Sequence, residues 1–386
     1  MNNETNFTDI PLNFWYLPFV FIIVLSVVGN LLVCMAIWND RKLQNMTNYF
    51  LFSLAVADLG VAMFVMPIAL CNNLLGHWVF GPILCNLWTT IDVTFSTSSI
   101  LHLCTIQLDR YSAIKYPIQY GKITKSKKWM SIKVFIVWFL SSIVGGILFL
   151  LSILNPKNSF RRIDHFSVCS IFSKSIMLFG SVAAFYLPFF IMLLLYSLTS
   201  YELRARTRRQ LEAYYIIDPT MNSKRPKKIS AFGAFIALPL RSMQATTAVS
   251  RMGTSGEEEI NPEEKGPLCE DSPMNNISPV ISIQAKRRKD QKENEKRAQL
   301  ILFIVFVTFV VCWFPFFAIN IITPIAYDWV NAHIDTNLIF LTTWLGYTSS
   351  SLNPIIYTIF NRNFRIAFQN IVLKFFQPVK SVFCKI

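Results

Sequence analysis

Apolar residues in this chain come in seven long runs separated by polar stretches. The runs are Leu17–Trp38, Tyr49–Leu70, Leu84–Leu108, Ile132–Leu154, Ile176–Leu198, Ala298–Ile325 and Leu338–Phe360. Each approaches or exceeds the ~20 residues a helix needs to cross the hydrocarbon core. The pattern therefore predicts an all-α integral membrane protein with its spanning region over residues 17–360. A further apolar run, Ile229–Leu240, contains Gly233 and Pro239 and is too short to cross. It reads as a loop segment or a surface-lying piece. Residues 199–297 form a long polar connection between spans five and six, with acidic Glu257–Glu259 and basic Lys286–Lys289 blocks. Such a composition cannot bury a core, so its middle is expected to be disordered. Its two ends, Ser200–Ala213 and Arg287–Gln299, lack Gly and Pro and are expected to prolong spans five and six as helix. The two halves show no internal repeat, which weighs against an inverted-repeat transporter.

Composition agrees with the pattern. Hydrophobic residues make up 53% of the 386 and charged residues only 15%, against roughly 25% charged in soluble chains. That much apolar surface could not be kept inside one soluble core, because burial saturates near ~75% of the chain's surface. A soluble enzyme, a disordered chain and a fibrous protein are therefore set aside. The formal charge of +14 could mean nucleic acid, a membrane surface or topology. Position decides for topology: segments 39–48, 109–131, 199–297 and 361–386, with Lys133, hold 32 of the 36 basic residues, and the other side holds only Lys157, Arg161, Arg162 and Lys174. By the positive-inside rule the N-terminus is outside and the C-terminus inside, and nucleic acid is not an expected partner. No basic region or cleavage site precedes the first span, which is expected to serve as its own insertion signal. The 1–16 tail then presents Asn3 and Asn6, both in glycosylation sequons, on the outer face.

Against this apolar background two buried charges stand out, Asp58 in span two and Asp92 in span three. Ionisable groups inside a membrane are costly and default to a functional reading. Asp58 has mid-span amides and hydroxyls available in Asn30, Ser99, Ser350 and Asn353. These oxygens suit a small hard cation, while a protonated Asp58 tying three helices together fits equally well. Asp92 has Val93, Ser96 and Thr97 on its helix face and no Lys or Arg in a facing span. It lies about 10 Å along the helix from Cys85 at the outer end. It is expected in a cavity open to the outside, paired with an exogenous cation or simply hydrated. Trp313, Phe316, Phe317, Trp344 and Tyr347 could supply aromatic faces to an ammonium ligand, or could face lipid and packing partners.

Cys85 and Cys169 both fall on the oxidising side, with Cys71 as a competing partner. Cys34, Cys104 and Cys312 read as small packing residues, Cys269 as a reduced loop thiol, and Cys384 as an acylation candidate. Pro67, Pro188, Pro315 and Pro354 can each kink a span. Asp109-Arg110-Tyr111 ends span three about 27 Å below Asp92. An Arg110–Glu295 pair could tie the inner ends of spans three and six, or Arg110 could snorkel to headgroups.

Asn30, LAVAD ending at Asp58, Cys85 with Cys169, Asp109-Arg110-Tyr111, Trp138, Pro188, Cys312-Trp313-Phe314-Pro315 and Asn353-Pro354-Ile355-Ile356-Tyr357 occur in this order over the seven spans. Together they resemble the rhodopsin-like G-protein-coupled receptors, over nearly the whole chain except the tails and residues ~215–285. The resemblance implies a seven-helix bundle followed, within 361–386, by a short amphipathic cytoplasmic helix. It implies a plasma-membrane receptor and not an enzyme, and no HExxH or GxSxG occurs.

The resemblance is to the aminergic group, in which Asp92 would hold a ligand ammonium. Val93, Ser96, Thr97, Gly180, Ser181, Ala184, Phe185, Trp313, Phe316, Phe317, Asn320, Trp344 and Tyr347 would line the remaining pocket. Tyr347 stands where opsins carry the retinal lysine, and span seven has no Lys. LAVADLGVAMFVMPIAL, IDVTFSTSSILHLCTIQLDRYSAIKYPIQY and TTWLGYTSSSLNPIIYTIFN look most like serotonin type-2 receptors, which implies Gq and phospholipase C. FYLPF in span five and the NPIIYT run keep dopamine, octopamine and tyramine open. The likeness places a sodium ion at Asp58, Ser99 and Asn353, with Asn30 near. It places the switch at Ile100, Pro188 and Phe309, and at Asp109, Arg110, Tyr111, Tyr196, Glu295, Asn353, Pro354 and Tyr357 toward the inner face. It implies a heterotrimeric G protein, arrestin and receptor kinases as partners.

Overall fold

A computed structural model describes residues 13–123, 127–163, 166–217 and 279–383. A long helical segment stands at each of the seven predicted positions. These are α1 (Phe19–Asn39); α2 (Met46–Gly60) continuing through a π turn at Val61–Val65 into α3 (Met66–Leu75); α4 (Gly81–Lys115); and α6 (Lys127–Leu154). Between α4 and α6 lies the short α5 (Pro117–Ile123). The fifth span is α7 (Lys174–Ser181), a π turn at Val182–Tyr186 and α8 (Leu187–Ile217). The last two are α9 (Pro279–Ile325) and, after the short α10 (Tyr327–His333), α11 (Thr336–Phe360). A final helix, α12 (Arg362–Phe383), follows. It buries Phe364, Ala367, Phe368 and Ile371 at helical spacing and packs on α1 and α11.

Helices overrun the apolar runs because charged residues such as Arg204–Arg209 are good helix formers in water. The extensions of spans five and six are longer than expected, reaching Ile217 and starting at Pro279. The middle of the 199–297 connection, with the Ile229–Leu240 run and Cys269, lies outside the described residues. So do Asn3, Asn6 and Cys384, and the side chain of Glu295. The chain falls into two compact units, Met1–Gln210 with Ile304–Ile386, and Leu211–Phe303. The sites described below lie in the first.

Among the described residues, five helical segments are long and apolar enough to cross a membrane on length and composition alone: Phe14–Asn39, Met46–Leu75, Lys128–Leu154, Lys174–Arg206 and Arg297–Ile325. The third and seventh spans, α4 and α11, are long enough but more polar. Their polar residues point inward: Thr89, Thr97, Ser98, Ser99, His102, Gln107 and Asp109 of α4 are buried, as are Thr342, Ser349, Ser350, Ser351 and Asn353 of α11. Many hydroxyls bond back along the same helix, such as Thr94 Oγ1 to the Thr90 carbonyl at 2.8 Å and Thr348 Oγ1 to that of Trp344 at 2.8 Å. A polar group so satisfied can be buried at little cost.

Each of the four prolines can kink its span. Pro315 and Pro354 do lie inside α9 and α11. Pro67 and Pro188 instead stand in the first turn after a π turn. There the wider turn accommodates the ring and the missing N–H without breaking the span.

α4 packs on α2 and α6. A buried chain of hydrogen bonds joins the three: Trp138 Nε1 donates to Ser53 Oγ at 3.0 Å, Ser53 Oγ meets His102 Nε2 at 2.7 Å, and His102 Nδ1 meets the Ser98 carbonyl at 2.7 Å. A carbonyl only accepts, so the proton sits on Nδ1 and Nε2 accepts from Ser53. Between α6 and α7, β1 (Phe160–Ile163) and β2 (Phe166–Cys169) form an antiparallel hairpin that the hydrophobic pattern did not predict. Cys169 is disulfide-bonded to Cys85, and Cys71 is free and exposed. This settles the competition among the three and pins the hairpin to the N-terminal end of α4. Trp78 N–H reinforces it, donating to the Ser167 carbonyl at 2.8 Å.

Candidate functional site

Asp92 is carried by the middle of α4 and is half-buried. Its carboxylate is held from two helices: Oδ1 accepts from Ser96 Oγ at 3.1 Å, one turn along, and Oδ2 accepts from Tyr347 OH of α11 at 2.8 Å. Both bonds come from neutral donors, and none of the described ion pairs involves Asp92. The carboxylate is thus oriented but not neutralised, which leaves its charge for a cation from outside.

Beside Tyr347 runs a continuous set of rings. Trp313 lies 6.1 Å from Tyr347, 5.8 Å from Phe316, 5.7 Å from Phe317 and 6.4 Å from Phe309. Phe185 of the fifth span stacks on Phe317 at 4.6 Å and lies 6.0 Å from Phe309. Two features fix Trp313. Its Nε1 donates to Ser349 Oγ at 3.1 Å, and Gly346 lets the ring lie flat on α11, since a Cβ there would stand 2.7 Å from it. An anion beside several aromatic faces can bind an organic ammonium through charge, hydrogen bond and cation–π attraction together.

Of the remaining pocket candidates, Thr97, Ser181 and Ala184 are buried, and Val93, Gly180 and Asn320 are half-buried. Thr97 Oγ1 has no hydrogen-bond partner among the described residues. Trp344 lies toward span one. It is fully buried and packs on Phe19 at 4.7 Å and Phe340 at 5.9 Å, so it buttresses Tyr347 from the side of span one.

Below this pocket Asp58 is 1% exposed. Its Oδ1 accepts from Ser99 and Ser350 at 2.9 Å each, and its Oδ2 from Asn353 Nδ2 at 2.8 Å. Asn30 does not touch it. Its amide donates to the backbone carbonyls of Ser26 at 2.9 Å and Ser350 at 3.1 Å, steadying the segment that carries Ser350. One carboxylate with two hydroxyl oxygens from three helices fits a small hard monovalent cation. Ile100 and Phe309 are buried, and the Pro188 carbonyl accepts from Cys104 Sγ at 3.6 Å.

Toward the C-terminal end of α4, Asp109 is fully buried. Its Oδ1 pairs with Lys133 Nζ of α6 at 3.1 Å, and its Oδ2 accepts from Tyr120 OH of α5 at 2.6 Å. Burial and the bond to Asp109 push the Tyr120 hydroxyl well above its ordinary pKa. Arg110 Nε and Tyr357 OH are buried without a hydrogen-bond partner among the described residues. Tyr196 is buried, Tyr111 OH accepts from Lys115 Nζ at 2.7 Å, and the Arg110–Glu295 pairing falls on a side chain outside the described residues. Sequence reading missed Lys133 and Tyr120 as partners of Asp109. Lys133 was recognisable as a cation at the edge of an apolar run, but nothing local assigned it to Asp109.

Residues 29–357 match the family model "7 transmembrane receptor (rhodopsin family)". The chain is 35% identical over 377 residues to the 5-hydroxytryptamine receptor 2B of Dichotomyctere fluviatilis, covering 93% of this chain and 75% of that one. It is 34% identical over 373 residues to the 5-hydroxytryptamine receptor 2B of Rattus norvegicus, covering 95% and 73%. It is 32% identical over 367 residues to the 5-hydroxytryptamine receptor 2C of Homo sapiens, covering 94% and 73%.

Proposed function

The chain belongs to the rhodopsin family of seven-transmembrane receptors, and from that premise we propose that it is a receptor for serotonin whose ammonium is held by Asp92. As a member of the family it is a plasma-membrane receptor with a small-molecule ligand and a heterotrimeric G protein as partners, and it is similar to serotonin receptors of the 2B and 2C types. The single observation that carries the amine reading is the Asp92 carboxylate, hydrogen-bonded by Tyr347 and Ser96 but not neutralised, beside a wall of rings. The fifth span offers Ser181 as its one hydroxyl at the ring-contacting positions Gly180, Ser181 and Ala184. An indole with one hydroxyl suits this better than a catechol, which would use two or three serines. The stacked pair Phe185 and Phe317 would present an aromatic wall to the ligand's ring system.

The signal is a population shift. The agonist must bind the arrangement with span six moved outward better than the closed one, since equal affinity for both would signal nothing. In this proposal Ile100, Pro188 and Phe309 pass the shift inward, and Arg110, Tyr196, Glu295 and Tyr357 reorganise at the inner face. The G protein is Gq, acting through phospholipase C, with receptor kinases and arrestin ending the signal. The N-terminus is outside, glycosylated at Asn3 and Asn6, and the C-terminus inside. Asp58, Ser99, Ser350 and Asn353 would hold a sodium ion, which would neutralise the buried carboxylate.

Asp92→Asn tests the amine site. Expected are normal surface expression and a loss of serotonin affinity of about a hundredfold, the scale of one charge-assisted pair. Unchanged affinity would remove Asp92 from the site. Second-messenger responses to serotonin, dopamine, octopamine and tyramine in transfected cells identify the amine, and a response led by any but serotonin replaces the serotonin reading. The competing transporter reading predicts amine uptake or current in the same cells.

A further inference from the structure

A cavity of about 590 Å³ lies between the inner end of α1 and α12. None of its lining residues belongs to the Asp92, Asp58 or Asp109 sites. Met35 of α1 and Ile371 of α12 supply apolar lining, and Asn39, Asp40, Asn370 and Lys374 supply polar lining. Asn39 and Asp40 directly follow the last apolar residues of span one, Ile37 and Trp38. They therefore sit where hydrocarbon gives way to headgroups.

Asp40 and Lys374 carry opposite charges into this cavity and do not pair with each other. Asp40 Oδ1 accepts from the Lys42 backbone N–H at 2.8 Å, and the described ion pairs are Lys133–Asp109 and Arg209–Glu202. A carboxylate and an ammonium held apart across one cavity are complementary to a ligand that carries both signs. Phosphoethanolamine does. Its phosphate accepts hydrogen bonds, which Lys374 and the side-chain amides can donate, and its primary ammonium donates hydrogen bonds, which the Asp40 carboxylate can accept. A choline headgroup has the same charges but no N–H for Asp40, and an anionic glycerol headgroup brings its phosphate with no cation for Asp40. The apolar lining at Met35 and Ile371 adjoins the membrane span, where an acyl chain would lie. We propose that this cavity binds a phosphatidylethanolamine molecule, with its headgroup between Asp40 and Lys374 and one acyl chain along Met35 and Ile371.

The test uses the full-length receptor equilibrated with an equimolar mixture of phosphatidylethanolamine, phosphatidylcholine and phosphatidylglycerol bearing the same acyl chains. Retained lipids are counted by native mass spectrometry. Expected is a preference for phosphatidylethanolamine of about tenfold, the scale of one charge-assisted hydrogen bond. Lys374→Gln and Asp40→Asn should each reduce it to the level of phosphatidylcholine while amine binding, measured on the same samples, stays at the wild-type value. Lys374 is exposed, and Asn at 40 keeps an oxygen for the Lys42 N–H, so both variants are compatible with the fold. Equal retention of the two zwitterionic lipids would overturn the proposal, as would preference for phosphatidylglycerol or insensitivity to both substitutions. Displacement by soluble phosphoethanolamine would also overturn it, because the acyl chain would then contribute nothing. Lipid-free dimers in place of lipid-bound monomers would assign the cavity to a second copy of the chain instead.

Discussion

At Asp92 the two carboxylate oxygens are divided between Ser96, four residues away, and Tyr347, 255 residues away. The first contact was readable from the sequence, because residues at i and i+4 share a helix face. The second was not, because nothing in the order of residues states which turn of span seven faces which turn of span three. Asp92 itself stood out because a carboxylate in an apolar run must find a partner. Ser350 was visible in the sequence as a mid-span hydroxyl available to Asp58, and the packed helices bring it to Oδ1 at 2.9 Å. The Tyr347 contact makes a prediction at this scale. Tyr347→Phe keeps the ring against Trp313 but removes a donor from a charged acceptor, a loss of about 1.5–3 kcal/mol or roughly tenfold or more in affinity if it acts in the bound state. Competition binding of serotonin to membranes carrying the variant checks it. Unaltered affinity would mean that the ligand ammonium displaces Tyr347 from Asp92 rather than sharing the carboxylate with it.

Among the elements, α4 is the one on which the functional groups are strung, from Cys85 through Asp92, Ser99 and His102 to Asp109. Its polarity and its central place have one cause: a helix surrounded by other helices can satisfy its polar side chains, whereas a lipid-facing helix cannot. The polarity was legible, but the neighbours that satisfy it were not. The prolines follow the same rule. Their positions were plain, yet two of the four follow π turns because the surrounding packing selects how a span absorbs a missing N–H. Toward the C-terminal end of α4, that helix, α5 and α6 meet at Asp109, Tyr120 and Lys133. Lys133→Met is expected to strand a buried carboxylate with one remaining donor. The cost should be about 1–3 kcal/mol, below that of a fully buried pair because the Lys133 side chain is 30% exposed. Thermal denaturation of the purified receptor should show a lower midpoint. A midpoint equal to wild type would show that Asp109 is held by Tyr120 alone.

At the scale of the whole molecule, Asp58 gathers Ser99, Ser350 and Asn353 and so ties α2, α4 and α11 at one point. A cation bound there favours the arrangement in which the three helices are tied, so by linkage it opposes any ligand that favours the other. Replacing sodium by N-methylglucamine is therefore expected to raise agonist affinity severalfold, on the scale of 1–3 kcal/mol for coupled sites, and Asp58→Asn should remove the dependence. Radioligand competition in the two salts measures it, and a wild-type receptor indifferent to sodium would leave Asp58 as a hydrogen-bonded tie between helices. The order of residues alone was enough for the seven spans and for the few polar groups that must matter inside them. It was enough because hydrocarbon penalises every unpaired polar group, so such groups announce themselves against apolar runs. It was also enough for the family, since several short motifs in fixed order are specific together. The Tyr347 contact of Asp92, the Lys133 partner of Asp109 and the cavity between α1 and α12 belong to the packed chain. Each depends on which helix faces touch, and facing is set by the packing of all the helices together rather than by any local pattern.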